Sequence, residues 1–157
     1  MKKIFCLLFI CVGFNVFSQE SFQHTRGRFM HSTTISLVNI FRERIPAGST
    51  ILFLFGGSEE SDFIRDVVES VLSQENRHEF LPAAEALSLQ EEGRIPADIA
   101  RQLGADILIT GQVKTTGGEE PVSWELYFIA VSVDTLEPVV KAAAFWHFPD
   151  DYSFYAE

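Results

Sequence analysis

The chain has 157 residues, 46% of them hydrophobic with fifteen phenylalanines, which is enough apolar material for the core of one domain. Its formal charge is −10, only Lys114 and Lys141 remain as lysines after the first three residues and the arginines are scattered, so a phosphate-backbone partner is disfavoured and no nucleic acid is expected. Both cysteines, Cys6 and Cys11, fall in the first eleven residues, so the rest of the chain has no thiolate nucleophile, disulfide framework or Cys-ligated zinc site.

Residues 1–18 have the layout of a secretory signal peptide. Lys2 and Lys3 precede the apolar run Ile4 to Val12, and Val16 and Ser18 suit a peptidase that cuts before Gln19. The run is too short to span ~30 Å of hydrocarbon at 1.5 Å per residue, and Asn15 interrupts it, so no membrane span is expected after cleavage. Cys11 is the candidate for lipid attachment, although the bulky Ile10 stands where a lipoprotein peptidase prefers a small residue. Losing Lys2 and Lys3 takes the charge from −10 to −12. The periplasm is the expected location.

Residues 19–31 are polar without a clear period, and a flexible segment is expected there. Ser32-Thr33-Thr34 then caps a helix whose inner positions are Ile35, Val38, Phe41 and Ile45, stopped by Pro46-Ala47-Gly48. Thr50 to Phe55 is apolar on both faces and predicts a buried strand in a parallel part of a sheet. From Ser61 the doublets Phe63-Ile64, Val67-Val68 and Val71-Leu72 give a helix with one broad apolar stripe. His78 to Leu81 predicts a short strand and Ala83 to Glu92 a helix ended by Gly93. Pro96 opens another helix with Ile95, Ile99 and Leu103 inward and Gly104 as its stop. Three strands follow, over 106–113, 122–133 and 139–148, with Trp124, Leu126 and Phe128 sharing one face of the second. The expected fold is a single α/β domain over 32–148. It has a mixed β-sheet with helices packed against it, a C-terminal antiparallel three-stranded meander, and a loose acidic aromatic tail over 149–157.

No constellation for catalysis stands out, and neither a catalytic residue nor a metal or cofactor site is assigned. Gly56-Gly57-Ser58 sits between a strand and a helix, where phosphate loops occur, but no phosphate-binding glycine motif is present and Glu59, Glu60 and Asp62 would repel an anion. His24, His31, His78 and His147 lack helical metal spacing, and the pairs Glu59-Glu60, Glu91-Glu92 and Glu119-Glu120 read as solvated charge. No G-x-S-x-G elbow exposes a serine. The aromatic tail, with Tyr152, Phe154 and Tyr155, is composed like a docking segment.

Ile45 to Leu54, and above all Ile99-Ala100-Arg101-Gln102-Leu103-Gly104-Ala105-Asp106-Ile107-Leu108-Ile109-Thr110-Gly111-Gln112-Val113, resemble the penicillin-binding-protein activator and curli-secretion lipoprotein family. The resemblance covers roughly Thr33 to Phe148 and takes in the Val133-Asp134-Thr135 turn. Leu81-Pro82-Ala83-Ala84-Glu85 departs from it, lacking a Val-Asp-Arg-like stretch. The resemblance implies a periplasmic domain without enzymatic activity or cofactor, often tethered to the outer membrane. Such a domain acts by contact with an envelope protein such as a penicillin-binding protein, as a regulator of peptidoglycan synthesis. The alternatives are a component of an outer-membrane secretion assembly and a small enzyme or phosphate binder using Gly56-Gly57-Ser58. Oligomeric state and contact face stay open.

Overall fold

A computed structural model of the protein describes residues 24–55, 58–117, 121–147 and 151–157. The expected leader, with Cys6 and Cys11, lies outside them, as do Gly56, Gly57, Glu119, Glu120 and Phe148. A six-stranded mixed sheet orders its strands β2-β1-β3-β4-β5-β6. Strand β1 (Thr50–Phe55) is buried on both faces because it pairs in parallel with β2 (Glu79–Leu81) and β3 (Ile107–Gly117), and helices cover it above and below. From β3 onward the sheet is an antiparallel meander through β4 (Pro121–Ser132), β5 (Pro138–His147) and β6 (Asp151–Ala156).

One side of the sheet carries α1 (24–44) and α2 (Glu59–Gln74). Ion pairs join Arg26 to Glu59 and Glu60 at the helix starts, and Arg42 to Glu75 at the ends, so the two helices run side by side in one direction. Such surface pairs are worth about 0–1 kcal/mol each. The seating comes from apolar contacts: Phe41 stacks on Phe53 at 6.0 Å and meets Phe128 at 5.8 Å, while Phe29 stacks on Trp124 at 6.1 Å. On the opposite side, α3 (Ala83–Glu91) and α4 (Pro96–Leu103) close a smaller core around Leu52, Leu54, Ile99, Ala100 and Leu108. Gly104 ends α4 at φ +77°, a left-handed turn that glycine adopts without penalty.

The structure corrects several expectations. Residues 24–31 are helical rather than flexible, and Ser32-Thr33-Thr34 lie inside α1 instead of capping it. The reason is Phe29, fully buried among Trp124 and Tyr152, which gives the polar first turns an anchor. Within α1 the inward row is Phe29, Thr33, Leu37 and Phe41, one step of four after another, so Ile35 is exposed. Helix α2 starts at Glu59, where Ser58 caps it by accepting from the Ser61 N–H, and its stripe narrows to Ile64, Val68 and Leu72 with Phe63 outside. Ile95 is the exposed N-cap position of α4 and not part of its inner face. The tail is not loose, since 151–156 form β6 and lengthen the meander to four strands.

Candidate functional site

Alternation along the meander sorts its side chains into two sets. Trp124, Leu126, Phe128, Ala142, Ala144 and Trp146 point to α1 and are buried. Their neighbours point to the other side, where α3 and α4 pack on β1 and β3 and their core touches β4 at its Val131 end. Across β3, β4, β5 and β6 the register there lines up Gln112, Tyr127, Ala143 and Tyr155 in one row, with Lys114, Glu125, Phe145 and Ser153 in the next. Among the described residues no helix covers this surface.

The face is aromatic at its centre. The Tyr127 and Phe145 rings meet edge to face at 5.7 Å, and Phe145 meets Tyr155 at 6.2 Å. Tyr127 is 39% exposed and Tyr155 63%, large fractions for rings that touch a common neighbour. Lys114 places its ammonium 5.9 Å from the centre of the Tyr127 ring, and the Tyr127 hydroxyl donates to a Glu125 carboxylate oxygen at 3.2 Å. Partial burial, with the Glu125 carboxylate as acceptor, holds that phenol above its ordinary titration range. A shallow cleft of roughly 580 Å³ crosses the face, bounded by Tyr127, Ile129, Lys141, Ala143, Tyr155 and Glu157. Its walls offer flat rings and an apolar floor with one cation and one anion at the rim, the composition of a protein contact surface.

Gly111 shapes this region from beneath. It lies opposite Phe55 on β1 and Phe128 on β4, and a Cβ there would come within 2.3 Å of the Tyr127 carbonyl oxygen and 2.8 Å of the Phe55 ring. This close approach needs a residue without a Cβ, and it lets the Phe55 ring fold over the strand.

The residues weighed for chemistry are scattered. His24 and His31 are exposed on α1, His78 is buried before β2, and His147 pairs with Ser123 and Asp151 in the sheet. Among the described residues no group of three or more His, Asp or Glu converges as a metal site. Glu59 and Glu60 are engaged by Arg26, whose guanidinium is held above its usual range chiefly by the Glu59 hydrogen bond. Of the tail aromatics, Tyr152 and Phe154 turn to the α1 side, where Tyr152 contacts Phe29 and Trp146, and only Tyr155 joins the open face. The alternation that puts Trp124, Leu126 and Phe128 on one face leaves Tyr127 on the other, and sequence alone gave it no role. The signal that could have found the face was the coincidence of Tyr127, Phe145 and Tyr155 at outward positions of successive strands.

The architecture belongs to the class of α/β domains with a mixed sheet. Several solved structures are similar to it, three of them as follows. The LpoB C-terminal domain from Salmonella enterica is 18% identical over 78% of this chain and 93% of its own, at a TM-score of 0.49. The LpoB C-terminal domain from Escherichia coli is 16% identical over 76% and 93%, at 0.46. Lipoprotein GNA1162 from Neisseria meningitidis is 15% identical over 63% and 80%, at 0.43. The sequence matches no family model and no curated protein. Among the described residues no helix is long and apolar enough to cross a membrane, which leaves strand-built spans unaddressed.

Proposed function

We propose that this domain is a non-enzymatic accessory protein of the bacterial periplasm that binds and regulates an envelope protein, a peptidoglycan synthase of the penicillin-binding type. The observation that supports contact as the mode of action is the uncovered aromatic cluster of Tyr127, Phe145 and Tyr155. Aromatic side chains held rigid by their neighbours give large contact area at small entropy cost, which is why they concentrate at the centres of protein interfaces. The choice of partner rests on the sequence resemblance carried by residues 99–113.

The test pairs the purified domain from Gln19 onward with a purified bifunctional penicillin-binding protein, following binding by interferometry and glycan-strand synthesis by a fluorescent lipid II assay. Binding and a faster polymerisation rate are expected, with a Tyr127→Ala/Tyr155→Ala double variant weakening binding at least about tenfold. No binding to any synthase of the same organism would end this reading. Unchanged binding by the double variant would move the contact off the open face.

A further inference from the structure

The two borders of the sheet are built differently. Strand β2 has three residues and runs straight into Pro82, which blunts it. Strand β6 has six residues, Asp151 to Ala156, with neither lysine, proline nor bulge within it. Its inner side is fixed by reciprocal bonds between Lys141 and Glu157, N–H to carbonyl at 2.9 and 2.8 Å. In an antiparallel ladder such doubly bonded pairs alternate with unbonded ones, so residues 155, 153 and 151 also turn their amides toward β5. Tyr152, Phe154 and Ala156 consequently turn their N–H and C=O groups outward, and among the described residues no strand meets them.

This border is anchored rather than frayed. The Tyr152 ring packs on Trp146 at 5.8 Å and on Phe29 at 6.4 Å, its hydroxyl lies 3.4 Å from Ser36 Oγ, and Phe154 packs on the main core. A strand already held straight needs little further ordering to accept a neighbour. We infer that β6 is a strand-addition site for an extended segment of another protein, apolar or β-branched at alternate positions and carrying Lys or Arg at both ends.

Charge selects that occupant over a second copy of this chain. The sequence sets an acid at each end of the strand, Asp151 and Glu157. Two copies pairing antiparallel about Phe154 would bring residue 151 of each opposite residue 157 of the other, acid against acid, between chains of charge −10. Like charges directly opposite one another destabilise a ladder, whereas a basic residue at either end of an incoming segment finds an opposite charge. Lys141 stands one strand further in, beside Glu157, and leaves Glu157 as the outermost charge of that row. The inference concerns the edge and not the open face, and it holds whichever envelope protein is the partner.

Two labelled heptapeptides decide it, Lys-Val-Thr-Val-Thr-Val-Lys and Glu-Val-Thr-Val-Thr-Val-Glu, titrated into the full mature chain by anisotropy while amide resonances are followed by NMR. The basic peptide is expected to bind at least about tenfold more tightly, with the amides of Tyr152, Phe154 and Ala156 shifting and gaining exchange protection. Ala156→Pro removes an outward N–H while sparing the bonds to β5, and it should abolish binding. Asp151→Lys/Glu157→Lys should reverse the preference to the acidic peptide, a readout that survives if the proline variant frays. Equal binding of both peptides, binding that Ala156→Pro leaves intact, or a stable dimer protecting these same amides would each overturn the inference.

Discussion

Gly111→Ala tests the packing of the sheet at its tightest point. The added methyl carbon would meet the Tyr127 carbonyl oxygen at 2.3 Å and the Phe55 ring at 2.8 and 2.9 Å. The first contact is backbone of the neighbouring strand and cannot swing aside, and Phe55 is itself buried with Phe53 against its edge at 5.8 Å. Overpacking a dense core costs about 1–3 kcal/mol, and a clash with main chain places this change at the upper end. At roughly 2–4 °C per kcal/mol for a domain of this size, the thermal midpoint should drop by about 6–12 °C. Gly27→Ala in α1 is the matched control, because a Cβ there meets nothing within 4 Å and alanine is favoured over glycine in a helix by roughly 0.5–1 kcal/mol. Differential scanning calorimetry of both variants reads the contrast. An unchanged midpoint for Gly111→Ala, or a fall for Gly27→Ala, would refute the reasoning.

Phe29→Ala should cost about 3–5 kcal/mol, since the ring is fully buried against Trp124 and Tyr152, and urea unfolding would measure it; a loss below about 1 kcal/mol would return residues 24–31 to a dispensable arm. Burial, with Arg77 adding to it and Glu75 opposing it, lowers the His78 pKa, so the unfolded chain takes up a proton near pH 6.5 before the folded one does. Stability from this group is therefore intact above about pH 6.5 and declines below it by at most ~1.4 kcal/mol per pH unit until the folded ring titrates. Unfolding curves of His78→Leu between pH 7.5 and pH 5 should show a flatter decline than the parent, and parallel curves would remove His78 as the cause.

Strand β1 was legible because Ile51 to Phe55 is apolar without alternation, which only a two-sided burial explains, and both parallel neighbours are present. Helix α4 was legible from Pro96 and Gly104, local signals that act within one turn. The start of α1 was not. His24 to His31 offers Phe29 and Met30 as its only large apolar side chains, and what holds those turns helical is a contact with Trp124 and Tyr152, far along the chain. Ile35 and Ile95 misled for a related reason, because a sequence counts apolar residues on a helix without saying how wide a stripe the sheet can cover. The same limit applied to 151–156, where six residues with one acid and three rings become a strand only because β5 presents an edge for them. The open face escaped notice since its members are outward residues on separate strands, united by register alone.

The stacking of Phe29 on Trp124 and beside Tyr152 ties the first turns of α1 to β6, more than a hundred residues further along. Hairpins between β3 and β6 join near neighbours and form early, but the groove that receives α1 is incomplete until Tyr152 has been laid down. A ribosome or a translocation pore therefore releases the first helix long before its seat exists. During that interval the Phe29 ring lacks Tyr152, the side chain that closes its seat.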